Sequence, residues 1–599
     1  MRWKRAAPDG ARACLWIGAI AAVTRVVHLL DFARLPLFDR PAADAALYLD
    51  LAQRIATTGV PHEVFFKPPL FPVVLSAWLQ AVGLDFFWLR VPFALLGAGT
   101  AVLTWLVARR LFDARVAFLA GLLQALHRSA VYFDGELLEI GLATFLQLGS
   151  LLAVLHAARS RRWRGLLGAG FLLGIGCLAR PSFLAWGLVA LVWLGRRRAI
   201  PAAIGALVAI APVTLHNAWH GRDFVLISSN LGLNVYIGNN PWANGRIAAT
   251  PELPAEPARA RRAAESIAES TLGHELSPSQ VSQFWMKRGL VHAASHPWQT
   301  LGLLGRKLFY AWNGAAIGDN EDLSGLSRYL WLFPCLPVGM WLLAPLGLLG
   351  LLRAKSTAVH DLRLARSFVW VQVLALLPFF VVERFRMPFA PGLAVLAAWS
   401  LVTLVTVRRA PWIIATLALL VACNLPLFGV RDAPAFDLDY RIAYAHHQRG
   451  DLDAALLAYR RAVERQPQSG LARNALGHLL AERGEQLDEA ARLVESAFAL
   501  DPDRSAHYAE TLAMIELRRG DPEAALRACA RGLAQTTDPP LRAALLLRRA
   551  EAAHALGRAE AAAEDLRTVL ELVTSGPVHE RARALQQRLD AAETKRSHP

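Results

Sequence analysis

Charged residues stand at a few positions inside otherwise apolar sequence, and these are the groups from which an acid–base site is built. In the segment 38–52, Asp44 comes near the expected start of a helix and Tyr48 follows four residues later. This spacing places both side chains on one helix face. The alternative is that Asp44 only caps the helix, since aspartate is common at helix starts.

Other charges accompany Asp44 in neighbouring apolar segments. Charged side chains at membrane depth are costly and usually line a cavity or a path, so their convergence predicts an active site. For the two arginines, the alternative is snorkelling to lipid headgroups. The candidates are Lys67 within Phe66-Lys67-Pro68-Pro69, the acids Asp134, Glu136 and Glu139, and Arg384 and Arg386 within Arg384-Phe385-Arg386-Met387-Pro388.

Composition argues for a membrane protein. Of 599 residues, 55% are hydrophobic and 19% are charged, and the apolar residues are concentrated before residue 430. The net charge of +16 does not indicate a nucleic-acid partner, because the basic residues cluster between apolar runs as in cytoplasmic loops. The five cysteines lie far apart, so the sequence shows no disulfide framework and no zinc motif.

About eleven apolar runs are long enough to predict membrane spans. They lie near 13–30, 88–108, 114–130, 137–156, 165–180, 181–195, 199–216, 327–352, 366–382, 387–407 and 411–429. Six basic clusters alternate with them: Arg2, Lys4, Arg5 and Arg12; Arg109, Arg110 and Arg115; Arg159, Arg161, Arg162 and Arg164; Arg196 to Arg198; Arg353, Lys355, Arg363 and Arg366; and Arg408 and Arg409. By the positive-inside rule, the amino terminus is predicted to be cytoplasmic.

An odd number of spans places the carboxyl-terminal segment on the outer face, together with two long loops at about 31–87 and 217–326. The shorter apolar segments 68–83 and 298–312 are predicted to be helices at the outer interface. For a bacterial chain, this topology predicts a multi-pass inner-membrane protein with a periplasmic carboxyl-terminal domain.

The segment after residue 430 carries a repeat. Gly450, Ala455, Tyr459, Ala462 and Pro467 stand where a tetratricopeptide repeat needs a turn, close helix contacts, a packed ring and a stop. The next unit ends at Pro502, 35 residues after Pro467, and weaker units follow. We expect a soluble α-solenoid at 431–599 that binds an acceptor or another partner protein. The alternative is a generic alanine-rich helical bundle.

Several short motifs resemble those of one enzyme family. They are Asp44-Ala-Ala-Leu-Tyr48, Lys67-Pro-Pro-Leu70, Gly174-Ile-Gly176-Cys-Leu-Ala-Arg180-Pro181, Arg384-Phe-Arg386-Met-Pro388 and the asparagine-rich stretch 224–241. The predicted membrane domain at residues 1–430 is similar, over about residues 10–430, to polyprenyl-phosphate-sugar-dependent transferases of the GT-C fold. Within them, the chain resembles bacterial glycosyltransferase family 39, which includes protein O-mannosyltransferases and the lipid A aminoarabinose transferase. The fold class expected is therefore all-α, a polytopic membrane helix bundle followed by the repeat solenoid.

The resemblance implies roles for particular residues. Asp44 matches the family's catalytic aspartate, a general base on an acceptor hydroxyl or amine, and water-poor surroundings are expected to raise its pKa toward the working range. Lys67 and Arg386 match the groups that bind the lipid phosphate, with Arg384 beside them. Family members commonly follow the aspartate with a glutamate, but Ala45 stands here. Glu136 and Glu139 are the candidates for a second carboxylate.

Asn234 and Asn239 either bind sugar hydroxyls or, in the favoured interpretation, supply turn residues between two short strands.

Cofactor predictions are mostly negative. The scattered histidines show no compact ligand spacing, so no metal ligand is assigned, although some GT-C enzymes use a divalent metal. No glycine-rich loop suits a nucleotide-sugar, so the predicted donor is a polyprenyl-phosphate sugar.

Two functional hypotheses follow. The first is an integral-membrane glycosyltransferase that moves a sugar from the lipid-linked donor to a protein, lipid or cell-envelope glycan on the outer face. The alternative is a non-catalytic membrane scaffold or receptor, in which a decayed GT-C core presents the repeats. Loss of Asp44, Lys67 or Arg386 would be expected of a decayed core, and all three are present.

Overall fold

The chain divides into two units, Met1–Phe436 and Asp437–Pro599. The computed structural model describes residues 10–160, 162–246, 250–254, 257–318, 322–407, 409–430 and 438–597, with side chains described through residue 591. Five residues of the predicted basic clusters lie outside these ranges, namely Arg2, Lys4, Arg5, Arg161 and Arg408. Of the expected domain boundary between residues 430 and 431, residue 430 is described and residue 431 is not.

Helices, with no β-strands, make up the regular secondary structure in the described part of the first unit. Its helices are α1 Gly10–Phe32, α2 Ala43–Thr58, α3 Leu70–Val82, α4 Phe86–Leu111, α5 Ala114–Ala125, α6 Arg128–Asp134, α7 Glu139–Ser160, α8 Trp163–Ala179, α9 Leu184–Leu194, α10 Arg196–Trp219, α11 Leu231–Gly238, α12 Pro257–Leu272, α13 Pro278–Ser295, α14 Pro297–Trp312, α15 Leu323–Leu326, α16 Leu332–Cys335, α17 Met340–Arg353, α18 Val359–Leu374, α19 Glu383–Arg386, α20 Ala390–Val407 and α21 Ala410–Asn424. Two 3₁₀ turns, Pro181–Phe183 and Met387–Phe389, precede α9 and α20.

This unit is a multi-pass membrane bundle. Among the residues that the structure describes, five helical segments are long and apolar enough to cross a bilayer: Gly10–Phe32, Phe86–Leu111, Glu139–Ser160, Arg196–Trp219 and Glu383–Val407. Shorter apolar helices occupy most of the other predicted spans. The span expected at 366–382 is covered by α18 only up to Leu374, because Pro378 cannot continue a helix.

Close packing within the bundle depends on small residues. A side-chain carbon added at Gly170 would overlap the Ala202 carbonyl oxygen, and one at Gly205 would overlap the Leu167 carbonyl oxygen. Helices α8 and α10 therefore touch through their backbones, as small-residue motifs allow in membrane proteins. This contact fixes α8, whose carboxyl-terminal end carries Arg180.

The asparagine-rich stretch differs from its prediction. No β-strand occurs in the ranges that the structure describes, so the expected turn between two short strands is wrong. Residues 231–238 form helix α11 instead, and the side chains of Asn239 and Asn240 bond its last turn. The Asn239 amide donates to the Val235 oxygen at 2.8 Å, and the Asn240 amide donates to the Tyr236 oxygen at 3.1 Å.

The second unit is a tetratricopeptide-type array of antiparallel helices. Small residues at the predicted contacts, Ala455, Ala462, Ala490 and Ala497, are fully buried, and Tyr459 packs beside them. Gly484 and Gly520 end their helices in the left-handed conformation, which favours glycine. The helices are α22 Leu438–Gln448, α23 Leu452–Arg465, α24 Gly470–Arg483, α25 Leu487–Leu500, α26 Ser505–Arg519, α27 Pro522–Leu533, α28 Pro539–Ala555, α29 Ala559–Leu572 and α30 Pro577–Ser597, with a 3₁₀ turn at Pro502–Arg504.

Candidate active site

A cavity of about 760 Å³ lies in the first unit and collects several of the predicted residues. It is bounded by the start of α2, the segment before α3, the start of α7, the end of α8, helix α11 and the segment 375–385. Its charged and phenolic lining consists of Asp44, Tyr48, Lys67, Glu139, Arg180 and Arg384. Residues more than 300 positions apart in sequence therefore meet at one site.

Asp44 lies between two cations. Its Oδ1 contacts Lys67 Nζ, and its Oδ2 lies 2.6 Å from Arg384 Nη1. The carboxylate and the Arg384 side chain are each 8% exposed, so water screens this pair weakly. The residue at the N-cap of α2 is Ala42, and Asp44 stands in the first turn.

The two cations set the protonation state of Asp44. Burial raises the pKa of this carboxyl, but the charges and hydrogen bonds of Lys67 and Arg384 outweigh burial and hold the pKa well below its ordinary value. The expectation of a raised pKa is therefore wrong. Asp44 is ionised at neutral pH and holds both cations in place.

Tyr48 and Glu139 form a second polar group on the same wall. Burial, together with the charges of Glu139 and Asp44, raises the pKa of the Tyr48 phenol well above its ordinary value, so the hydroxyl stays protonated and donates to Glu139. Glu139 also lies 3.7 Å from Arg180 Nη1. The Arg180 guanidinium carbon lies 4.4 Å from the centroid of the Phe385 ring, and this cation–π contact restricts the orientation of the Arg180 side chain.

The remaining cavity wall is part polar and part apolar. The hydroxyl and amide side chains of this wall are Ser228, Ser229, Asn230, Asn234, Ser279, Ser282 and Gln283, and its apolar side chains include Phe224, Leu226, Ile227, Leu231, Phe379 and Phe380. The predicted residue Asn234 lies in this wall. A ligand with a charged group, a polar ring and an apolar chain would match the three kinds of surface.

Arg386 is placed elsewhere, although only one residue separates it from Arg384. It is fully buried and pairs with Glu383. Its guanidinium also donates to the carbonyl oxygens of Asn313 and Ala315, and to that of Tyr310 at 3.3 Å. It does not line the cavity. The predicted contact of Arg386 with a lipid phosphate does not fit this enclosed position. Snorkelling of Arg386 to lipid headgroups does not fit it either, because the side chain is fully buried.

Two further predicted residues also lie outside the cavity lining. Glu136 is buried in the turn between α6 and α7. The Asn239 side chain donates to the oxygens of Val235 and Pro378 and accepts from Lys307 Nζ at 3.2 Å. Asn239 therefore joins α11 to α14 and to the segment after α18, and it presents no free amide to a ligand.

The sequence interpretation missed some residues of this region. Arg180 belongs to a short motif but has no predicted role, and Glu383, the partner of Arg386, is not among the predicted residues. An acid three residues before an arginine on a short helix is a recognisable pairing pattern, so Glu383 could have been found. The serines at 279 and 282 carry no local pattern, because their place in the wall depends on the packing of α13 against α11.

Residues 66–219 match the family described as dolichyl-phosphate-mannose-protein mannosyltransferase. The matched segment contains Lys67, Glu139 and Arg180. Residues 440–469 match the tetratricopeptide repeat. These two matches confirm the resemblance to GT-C glycosyltransferases with a carboxyl-terminal repeat domain. No curated protein matches the chain.

Solved structures are similar only at a distance. ArnT from Cupriavidus metallidurans, bound to undecaprenyl phosphate, is 16% identical, with 87% of this chain and 81% of that chain covered and a TM-score of 0.40. The Archaeoglobus fulgidus oligosaccharyltransferase is 15% identical, covering 74% and 59%, with a TM-score of 0.39. MamA protein is 19% identical, covering 26% and 87%, with a TM-score of 0.21. These scores carry no functional conclusion by themselves.

Proposed function

We propose that this chain is a membrane glycosyltransferase that moves a sugar from a polyprenyl-phosphate donor to an acceptor at the outer face, with residues 1–430 as a GT-C-type catalytic domain. The observation that carries the proposal is the position of Asp44 between Lys67 and Arg384 in a cavity with an apolar wall. A decayed scaffold has no reason to keep a buried carboxylate clamped by two cations at the edge of a cavity.

The donor phosphate is proposed to bind at Lys67 and Arg384. Both cations line the cavity, and ionised donors make the strongest hydrogen bonds to phosphate oxygens. The prenyl chain would lie against the phenylalanines and leucines of the wall, while Asn234 and the nearby serines face the sugar hydroxyls. This arrangement assigns Arg384 the phosphate contact that the family resemblance implied for Arg386.

The proposed transfer is a single displacement. The acceptor oxygen or nitrogen attacks the anomeric carbon and forms the new glycosidic bond, while the bond from that carbon to the phosphate oxygen breaks. Asp44 takes the proton of the acceptor, and polyprenyl phosphate leaves with the electron pair of the broken bond. Lys67 and Arg384 stabilise the negative charge that develops on the leaving phosphate.

The donor phosphate also activates the base in this proposal. Lys67 and Arg384 hold the Asp44 pKa low, which makes the carboxylate a weak base. A phosphate that draws Lys67 and Arg384 toward itself removes this stabilisation and raises the basicity of Asp44. Tyr48, Glu139 and Arg180 keep the wall beside Asp44 polar, whereas Glu136, Asn239 and Arg386 support the surrounding structure.

Ion pairs at the far ends of several helices support the proposed orientation. Asp361 at the start of α18 lies 3.1 Å from Arg110 Nε at the end of α4 and 2.9 Å from Arg159 Nη2 at the end of α7. Three predicted cytoplasmic segments therefore meet on one side of the bundle. This supports an inner-membrane protein with a cytoplasmic amino terminus, with the Asp44 cavity toward the outer side.

The repeat unit is proposed to lie on the periplasmic side and to bind an acceptor or partner protein. Stacked helical pairs offer an extended surface for a peptide or protein. A reporter that works only outside the cytoplasm, fused after residue 599, should be active. Activity of a cytoplasm-only reporter at the same position would contradict the placement.

The function is tested in a strain that lacks this chain. Mass analysis of its glycoproteins, envelope lipids and glycans should reveal a sugar that is missing, and the wild-type chain should restore it. Asp44→Asn should not restore it, since a general base contributes about 10²–10⁴-fold to rate. Arg54→Ala, an exposed cation of the same outer loop, serves as the control that should restore the sugar. Full restoration by Asp44→Asn at equal protein level would overturn the proposal.

A further inference from the structure

Two histidines and a glutamate meet on neighbouring helices of the repeat unit. His447 lies on α22, and His478 and Glu482 lie on α24. The four-residue spacing of His478 and Glu482 puts both on one helix face. The glycines that end these two helices, Gly450 and Gly484, are 34 residues apart, so His447 and Glu482 hold positions offset by one residue in successive repeats. Stacking brings nearly equivalent positions together.

The nitrogen and oxygen atoms that could act as ligands are close. One such atom from each of the three residues lies within 4.8 Å of the other two. His447 Nε2 is 2.6 Å from a Glu482 carboxylate oxygen, and the two imidazole rings have their centroids 6.0 Å apart. No hydrogen bond joins His478 to any residue in the described part of the chain, so its ring is not committed to a structural partner.

We propose that His447, His478 and Glu482 bind a divalent transition metal of the Zn²⁺ class. Two imidazole nitrogens and one carboxylate oxygen are the ligand types that Zn²⁺ takes, at about 2.0–2.2 Å from the metal. Ca²⁺ and Mg²⁺ prefer sets made of oxygen atoms, which this cluster does not offer. The set closes on a metal by rotation of the side chains, because His447 and His478 are only partly buried and Glu482 is exposed.

The charged groups beside the site are already paired with one another. On α26, Glu510 accepts from Arg548 at 2.8 Å, and Arg548 also lies 3.2 Å from Glu551. Glu510 is therefore already neutralised and is not needed as a ligand. Three protein ligands leave one tetrahedral position for water or for a side chain of a bound protein. The metal would tie α22 to α24 and place an exchangeable ligand position on the repeat surface.

A simple ion pair between His447 and Glu482 is the competing explanation. It requires no role for His478, whereas a metal site loses a ligand when His478 is replaced. His446 provides a matched control, because it is adjacent to His447 in sequence but contacts Asp451 at 3.2 Å instead.

The test uses the full chain in detergent, without a polyhistidine tag and stripped of metal. Calorimetric titration with Zn²⁺ should show one site that is present in the wild type and in His446→Ala. In His447→Ala and His478→Ala, this site should be lost or weakened at least tenfold. Co²⁺ should give the visible absorption of a tetrahedral site in the first two proteins and lose it in the last two.

A comparison between variants separates this site from any metal bound in the membrane unit. Circular dichroism of each variant checks that the helices are retained, and His478→Gln provides a second, more conservative replacement. Zn²⁺ should also slow amide hydrogen exchange in α22 of the wild type and leave it unchanged in His478→Gln. Equal Zn²⁺ stoichiometry and affinity in the wild type, His447→Ala and His478→Gln would overturn the proposal, as would a wild type that binds no Zn²⁺. None of these outcomes depends on transferase activity.

Discussion

Arg384 and Arg386 show how one short segment serves two different regions of the membrane unit. Arg384 faces the cavity and pairs with Asp44, which also holds Lys67. Arg386 faces the interior, where Glu383 and three backbone carbonyls surround it. The first arrangement has one acid for two cations at a cavity, so an anion can enter. The second is neutral and enclosed, so it can only hold the fold.

The largest expected effect is on stability at the enclosed pair. Arg386→Ala leaves the carboxylate of Glu383 buried without its cation and should lower the free energy of unfolding by about 3–5 kcal/mol. Arg384→Ala should cost much less, because Asp44 keeps Lys67. Thermal unfolding of the purified variants in detergent measures the difference. Equal loss of stability in both variants would remove the distinction between the two arginines.

A smaller effect should appear in ligand affinity at the cavity. Asp44→Asn removes the anion that competes with a phosphate for Lys67 and Arg384. The affinity of this variant for undecaprenyl phosphate should be at least equal to that of the wild type and at most about tenfold higher. A tenfold increase corresponds to about 1.4 kcal/mol of binding free energy. Native mass spectrometry or calorimetry can measure it. Markedly weaker binding would mean that Asp44 itself contacts the phosphate or orders the site.

Elements with a regular pattern could be predicted from the sequence. The apolar runs predicted the long helices, and the helices expected at 68–83 and 298–312 are α3 and α14. The repeat period predicted the solenoid, since its alanines and glycines are needed at fixed contacts. Asp44, Tyr48 and Lys67 could be singled out because charged and polar residues are rare in such surroundings.

The roles of individual polar residues depended on contacts that are distant in sequence. Arg386 is enclosed by carbonyls about seventy residues earlier in the chain, and no local pattern distinguishes it from Arg384. Asn234 and Asn239 likewise have different roles that no local pattern distinguishes. Asn234 lines the cavity, whereas Asn239 makes hydrogen bonds to backbone oxygens and to Lys307. The closeness of His447 and Glu482 could be predicted in principle, because the repeat stacks α22 beside α24 and both residues lie in the last turn of their helix.

The central claim is that Lys67 and Arg384 receive the donor phosphate, and binding of undecaprenyl phosphate to the purified chain tests it most directly. Each hydrogen bond to a charged group contributes about 1.5–3 kcal/mol, so Lys67→Ala and Arg384→Ala should each weaken binding at least about tenfold. Arg54→Ala, on the same outer loop but outside the cavity lining, should bind as the wild type does. If Lys67→Ala and Arg384→Ala also bind undecaprenyl phosphate with wild-type affinity, the phosphate site lies elsewhere and the account is contradicted.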